Sequence, residues 1–373
     1  MITIREAVTK ADLVQFMEYP LKLYKGCAQY VPDILASQVA DMQRDKNPAF
    51  SYCEAKCFLA YKDGEIVGRI CGILNNKANA KFNKKYMIFS QVDFIDDDAV
   101  VDALFDAVEN WARELGCEAV HGPLGFSDMD REGMLVEGFD RMSLFFTYYN
   151  YPYYVTQMER RGYGKEVDWV EFRLKIPDTV DPQLTKMAEF IAKKKKLHVV
   201  NLGQKPIKTI MRDVFGLYNE AYRVLFGVVP MTDEQMNKYT SEFLPMVSAK
   251  TTSFVYNEKD ELVAFGIACP SLDHAMIKIK GRTMPFGWIE LLKALKGKHN
   301  DTMDMLLIAV HPSLQGTGVN AMILNDVHQK AIPCGFRYAE TGPMLELNRH
   351  VQAQWARFEG EQHKRRRCFV KNL

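Results

Sequence analysis

No run of apolar residues in this chain approaches the roughly 20 that a membrane-spanning helix needs, so no transmembrane segment is expected. Charge of one sign is missing too: 48 Lys and Arg stand against 47 Asp and Glu, a formal net charge of +1. Nucleic-acid binders carry a basic excess, and without one no nucleic-acid partner is expected. Cysteine is scattered over Cys27, Cys53, Cys57, Cys71, Cys117, Cys269, Cys334 and Cys368. Only Cys53 and Cys57 lie close, and "CEAKC" lacks the spacing of a zinc knuckle or redox pair. Reduced thiols in apolar segments are expected, with no metal site. The start, "MITIREAVTKADL", has no signal-peptide core and reads as a strand and a helix, which makes the cytoplasm the expected location.

What is present is a globular composition, 47% hydrophobic and 25% charged, over 373 residues. That length exceeds one ordinary core, so about two domains are expected. The chain also repeats itself. "FLAYKDGEIVGRICGI" from Phe58 and "FVYNEKDELVAFGIAC" from Phe254 both read as strand, charged turn and strand. Each is followed by a further strand, "YMIFSQVDFI" or "MDMLLIAV", and an amphipathic helix. Leu104, Val108, Trp111 and Leu115 form one helical face in the first half, and Val319, Ile323, Val327 and Ala331 in the second. Cys-Gly segments then lead into "CEAVHGP" and "FRYAETGP", and Asn150 and Asn348 open helix-like segments ending at Gly162 and Gly360. "DWVEFRL" and "RRCFVKNL" close the two copies. Correspondences kept in one order point to a duplicated domain.

The order of strands and helices, with one helical crossover per copy, predicts an α+β class with a mixed sheet flanked by helices in each domain. The prolines of "KIPDTVDPQ" set the expected bounds at 1–176 and 177–373, and the lysines at 193–196 read as a solvated helix end.

The stretch "HPSLQGTGVN", residues 311–320, joins the apolar run "MLLIAV" to a helical pattern. Amides at a helix start have no intrahelical partner, and glycines let a phosphate approach them. A plain strand-to-helix turn is the other reading. The stretch has no Lys-Ser/Thr of a P-loop, and no third glycine or acidic ribose partner of a dinucleotide fold. The pattern V-x-P-x-x-Q-G-x-G opening a helix after a buried strand resembles motif A of the GNAT acyltransferase superfamily. "YVPD", "GMLVEGFD" and "YNYPYY" resemble large bacterial proteins with tandem GNAT-like halves. The resemblance implies two tandem acyl-CoA N-acyltransferase-like domains and acetyl-CoA or another acyl-CoA as co-substrate. Gln315, Gly316, Thr317, Gly318, Val319 and Asn320 would hold the pyrophosphate. Leu307, Ile308 and Val310 would lie on the strand that pairs with the pantetheine arm, and Asn348 would help to position that arm. Two departures stand out. Asn320 replaces the closing Gly/Ala, and the last helix offers Trp355, Ala356 and Phe358 where many GNAT enzymes have a tyrosine acid.

At the matching turn the first half reads "VDFIDDDAVV", with Asp96, Asp97 and Asp98 and no glycine, so it is expected to be a degenerate copy that repels phosphate. It carries an insert, residues 124–148, readable as a substrate loop or a packing segment. The second half carries another, residues 271–299, in which Trp288, Ile289, Leu291, Leu292 and Leu295 alternate with Lys293, Lys296 and Lys298. That helix reads as a lid, a membrane-surface element, or a helix packed on the sheet with a solvated basic face. "KRRRC" at 364–368 reads as a strand with a charged face or as a contact to phosphate. Glu340 is the candidate base, with a structural ion pair as its other reading; His311, Asp304 and His274 are weaker candidates, and Glu220, Tyr222 and Arg223 could line an acceptor pocket. The resemblance implies direct N-acyl transfer, N-acetyl transfer foremost, to a small-molecule or peptide amine. A non-catalytic coenzyme A or acyl-CoA binder and an aminoacyl or peptidyl transferase remain alternatives.

Overall fold

A computed structural model describes residues 1–297 and 300–373; Lys298, expected on the outer face of the insert helix, lies outside them. The chain runs through β1 (Ile2–Glu6), α1 (Lys10–Leu23), α2 (Leu35–Asp41), β2 (Cys53–Lys62), β3 (Glu65–Asn75), α3 (Asn76–Phe82) and β4 (Tyr86–Phe94). It continues with α4 (Asp98–Glu114), β5 (Ala119–Gly122), β6 (Met134–Glu137), α5 (Tyr153–Arg160) and β7 (Gly164–Lys175). Then come α6 (Pro182–Lys195), β8 (Leu197–Val200), α7 (Ile207–Ala221), α8 (Asp233–Phe243), β9 (Thr252–Asn257) and β10 (Leu262–Pro270). The remainder is α9 (Asp273–Ile279), α10 (Gly287–Leu295), β11 (Thr302–Val310), α11 (Asn320–Ala331), β12 (Tyr338–Thr341), β13 (Met344–Leu345), α12 (Arg349–Ala353) and β14 (Gly360–Asn372).

The chain divides into two compact units. The first holds Met1–Val170, Asp273–Glu290 and His363–Leu373, and the second Glu171–Leu272 and Leu291–Gln362. Each builds the same mixed sheet, β1-β2-β3-β4-β5-β14 in the first and β8-β9-β10-β11-β12-β7 in the second. Only β4–β5 and β11–β12 run parallel in these ladders. A parallel pair needs a crossover, which α4 and α11 supply.

The units interleave along the chain, unlike the expected cut between residues 176 and 177. β14 closes the first sheet, with Phe369 opposite Gly122 and Asn372 opposite Ala119. Residues of β7 close the second, with Lys175 opposite Tyr338 and Arg173 opposite Glu340. Rungs form between backbone groups that every strand carries, so side-chain periodicity marks a strand without naming its neighbour.

Both inserts take part in the first unit. In residues 124–148, β6 pairs with β14, and Lys364 Nζ donates to the Met142 carbonyl at 3.0 Å. Arg366, fully buried, donates to the Tyr148 carbonyl, while Arg365 and Arg367 pair with Glu137 and Asp168. The "KRRRC" run is therefore paired inside a sheet, and the phosphate-contact reading falls away. In the second insert the Phe145 N–H donates to Asp273 Oδ1 at 2.7 Å, and Arg282 pairs with Glu18.

Each crossover helix sits tight on its sheet because glycine lies beneath it. A Cβ on Gly68 would come within 2.6 Å of Leu104 Cδ1, and one on Gly266 within 2.5 Å of Ile323 Cγ2. On the opposite face of the first sheet, Arg69 Nε donates to Asp93 Oδ2 at 2.7 Å and the Tyr24 hydroxyl to Oδ1 at 2.7 Å. Burial pushes the Tyr24 hydroxyl well above its usual range, and the Asp93 charge adds to this. Removing one partner of a buried pair strands the other's charge. Asp93→Ala should cost about 3–5 kcal/mol in urea unfolding of the full chain, and a loss under about 1 kcal/mol would show the pair to be dispensable.

Candidate functional site

The turn between β11 and α11 is fastened by its own side chains. Gln315 Nε2 donates to the Val310 carbonyl at 3.1 Å, and Thr317 Oγ1 to the Leu314 carbonyl at 2.7 Å. His311 Nδ1 accepts from the Ser313 N–H at 3.2 Å, and His311 Nε2 lies 3.0 Å from Glu220 Oε2. The amide group of Gln315, expected at the pyrophosphate, holds the Val310 carbonyl here. Gly316 and Gly318 adopt φ of +71° and +87°, in the left-handed region that glycine enters without a Cβ penalty.

These conformations leave the backbone amides unused. Among the described residues, the N–H groups of Gly316, Gly318, Val319 and Asn320 meet no protein acceptor, and no side chain caps Val319. The Thr317 N–H turns back to Leu314 at 3.3 Å. Gln315, Gly316 and Thr317 are exposed, and Gly318 and Asn320 are half-buried. The unpaired amides thus run from the exposed Gly316 to the buried Val319, at a helix start where the dipole adds partial positive charge.

The first unit fills the same position. Asp97 Oδ1 accepts from the Ala99 and Val100 amides at 3.0 and 3.4 Å, and Lys62 Nζ lies 2.6 Å from its Oδ2. Asp96 and Asp98 both accept from Gln157 Nε2, at 3.0 and 2.8 Å. That helix start is closed by carboxylates, which leaves no room for an anion.

β11 leads into the open turn after parting from β12. Their ladder runs from Thr302–Tyr338 to Met305–Thr341, and the Gly342 N–H then donates to the Met305 carbonyl at 3.2 Å. A bulge against β10 falls between Leu307 and Met305, which sets Leu307 to Val310 on a separate course. An apolar cavity lies against this strand, lined by Met303, Met305, Ile308, Ile323, Trp355 and Phe358 among others. His328 lines it too, its ring edge-on to Phe358 at 5.3 Å. The Tyr222 hydroxyl donates to the Ile308 carbonyl at 2.8 Å.

Of the other expected residues, Leu307 and Ile308 line the cavity, and the Val310 carbonyl holds Gln315. Asn348 accepts from the Val351 N–H at 3.4 Å and caps α12. Glu340 is buried with its Oε1 2.8 Å from Arg173, and on the neighbouring strand it stands opposite the fully buried Asp304. Sequence reading missed His328, Trp355 and Phe358 as cavity residues. His328 repeats the α11 face one turn beyond Leu324, but nothing in a helical stripe separates a cavity wall from filled core. A distinct group in the first unit, His121, Glu166 and Cys368, brings metal-ligand atoms within 4.8 Å of one another. Its Glu166 is already matched by Lys84 and His121 at 2.6 and 2.7 Å.

No family model matches the sequence. Protein YghO of Escherichia coli is 25% identical over 376 residues, 99% of this chain and 95% of that protein. The bacterial ceramide synthase of Caulobacter vibrioides is 25% identical over 374 residues, 98% and 96% of the two chains. Among solved structures, a tandem GNAT protein from the clavulanic acid biosynthesis pathway superposes with a TM-score of 0.57 at 13% identity, covering 100% and 98% of the two chains. A GCN5-related glucosamine N-acetyltransferase region of a fungal multi-domain protein gives a TM-score of 0.57 at 12% identity, covering 100% of this chain and 38% of that one. One mixed sheet built twice, each time with a crossover helix between its parallel strands, agrees with these likenesses: the chain has the tandem GNAT fold.

Proposed function

We propose that this chain is an acyl-CoA-dependent N-acyltransferase whose second unit binds the donor. The observation that carries this is the cradle of open amides at Gly316, Gly318, Val319 and Asn320, placed directly after a strand that has parted from its neighbour. Phosphate oxygens suit those donors, and Gly316, with nothing within 4 Å of where a Cβ would lie, leaves room for them. The strand edge beyond Met305 suits an extended amide-bearing arm, and the cavity beside it suits an apolar acyl chain.

The cavity wall of Met, Ile, Leu, Trp and Phe side chains favours a fatty acyl group over acetyl. The name of the Caulobacter relative points the same way, since a ceramide is the amide of a fatty acid and a long-chain amino alcohol. We therefore assign a long-chain acyl donor and a lipid amine acceptor.

Bound, an acyl-CoA supplies an activated thioester, and the amine nitrogen forms the new C–N bond as the C–S bond breaks. The chain's own residues hold, orient and move protons. Glu340, fixed by Arg173, is the carboxylate beside the strand split and takes the proton that the amine gives up. Tyr222 supplies the hydroxyl at Ile308 that the last helix lacks, and it protonates the departing sulfur. The acid thus comes from the C-terminal cap of α7 instead of the last helix.

Calorimetry with coenzyme A tests the donor site. Gly318→Glu should lower affinity by at least about a hundredfold, since it sets a carboxylate and a Cβ where φ is +87°. Asp97→Ala should leave affinity unchanged while costing about 1 kcal/mol of stability through the lost helix cap. Equal affinity in the Gly318 variant would sink the assignment. Turnover is read as thiol release and amide mass with acyl-CoAs of increasing length and a long-chain amino alcohol. Binding with no thiol release from any amine would leave a binding protein.

Tyr222→Phe should reduce kcat by about a hundredfold with coenzyme A affinity intact, and an unchanged kcat removes the tyrosine from the mechanism.

His328 gives a pH test of the cavity. Burial lowers its pKa from the ordinary 6.5, so between the two values the unfolded chain binds a proton that the folded one refuses. Stability should therefore fall as pH drops below about 6.5, and His328→Leu should flatten that slope in urea midpoints. An equal slope in the variant would show the imidazole to be solvated.

A further inference from the structure

The insert that follows β10 ends in a surface that the fold does not cover. Met284, Phe286, Trp288 and Leu292 are 74, 72, 48 and 46% exposed. No residue of α10 is buried, so the helix does not pack as a sheet-covering element would. Trp288 and Leu292 are one helical turn apart on α10, and Met284, Pro285 and Phe286 lead into its first turn.

Basic residues surround this apolar tip. Lys278, Lys280, Arg282, Lys293 and Lys296 are all exposed. Residues 271–299 hold six Lys and Arg against Asp273 and Glu290, and Asp273 is buried against the Phe145 amide. Lys278 lies 2.7 Å from Glu290, and Arg282 pairs with Glu18. The outward charge is positive.

We propose that residues 278–296 are a docking surface for an anionic lipid bilayer. Aromatic and aliphatic tips surrounded by lysine are the composition of elements that sink about 5–10 Å into the headgroup region, while protein interfaces are depleted of lysine. Lys280 and Lys296 reach anionic headgroups while their alkyl stems lie along the apolar layer. This surface goes beyond the proposed chemistry and does not depend on it, because docking needs no acyl-CoA.

Trp288 provides a built-in reporter. Trp111, Trp169 and Trp355 are buried at 7, 2 and 5% exposure, so a vesicle-induced change in tryptophan emission comes from residue 288. The full chain is titrated with phosphatidylcholine vesicles with and without phosphatidylglycerol. A blue shift and cosedimentation that require phosphatidylglycerol and weaken with salt are expected. Phe286→Ser with Trp288→Ser should reduce cosedimentation by at least about tenfold, and Lys280→Glu by about fivefold, as a surface cation contributes. Both variants should keep the wild-type unfolding midpoint, since they change exposed side chains. Absence of cosedimentation, or equal cosedimentation of the double variant, overturns the proposal. So does light scattering showing a dimer in which iodide no longer quenches Trp288, which would give the surface to a second copy of the chain.

Discussion

Amides in the first turn of an α-helix have no partner within the helix, and this chain meets that constraint twice in opposite ways. At the start of α4, Asp97 supplies the acceptor and Lys62 balances its charge. At the start of α11 no acceptor meets the amides of Gly316, Gly318, Val319 and Asn320 among the described residues, and two left-handed glycines shape the turn. A closed helix start contributes stability; an open one is a place for an anion. The same fold therefore closes one helix start and leaves the other open, and a few side chains decide between them.

The duplication is deeper than a tandem arrangement. Each sheet repeats one order of strands, yet the strand that completes it comes from the other half of the sequence. β14 carries four cationic residues in a row into the first unit, and these are satisfied by carbonyls and carboxylates of that unit. The insert at residues 124–148 supplies several of those acceptors. Both features explain why a basic run in the sequence is paired within the first unit.

In the second unit the parting of β11 from β12 links the cradle to the cavity. A bulge redirects the strand, Tyr222 occupies one of its carbonyls, and the space behind it is lined by apolar side chains from α11 and the segment after α12. The proposed donor recognition, acyl accommodation and proton supply thus all draw on one strand and what touches it. The exposed tip of the 271–299 insert adds a surface whose apolar and basic residues match a lipid boundary.

Much of this was legible in the residues themselves. The repeated hairpins, the crossover helices, the mixed sheets and the contrast between "IDDDAVV" and "QGTGVN" follow from periodicity, turn chemistry and charge, which are local properties. Glu340 was readable both as a base and as a member of an ion pair, and Arg173 came to light only as its neighbour across β12 and β7. Strand exchange, the Tyr222 bond to β11 and the cavity around His328 were hidden because each depends on which distant segments meet. Backbone groups are alike at every residue, so the amino-acid sequence determined where strands and open helix starts form, and tertiary structure alone decided which partners and spaces surround them.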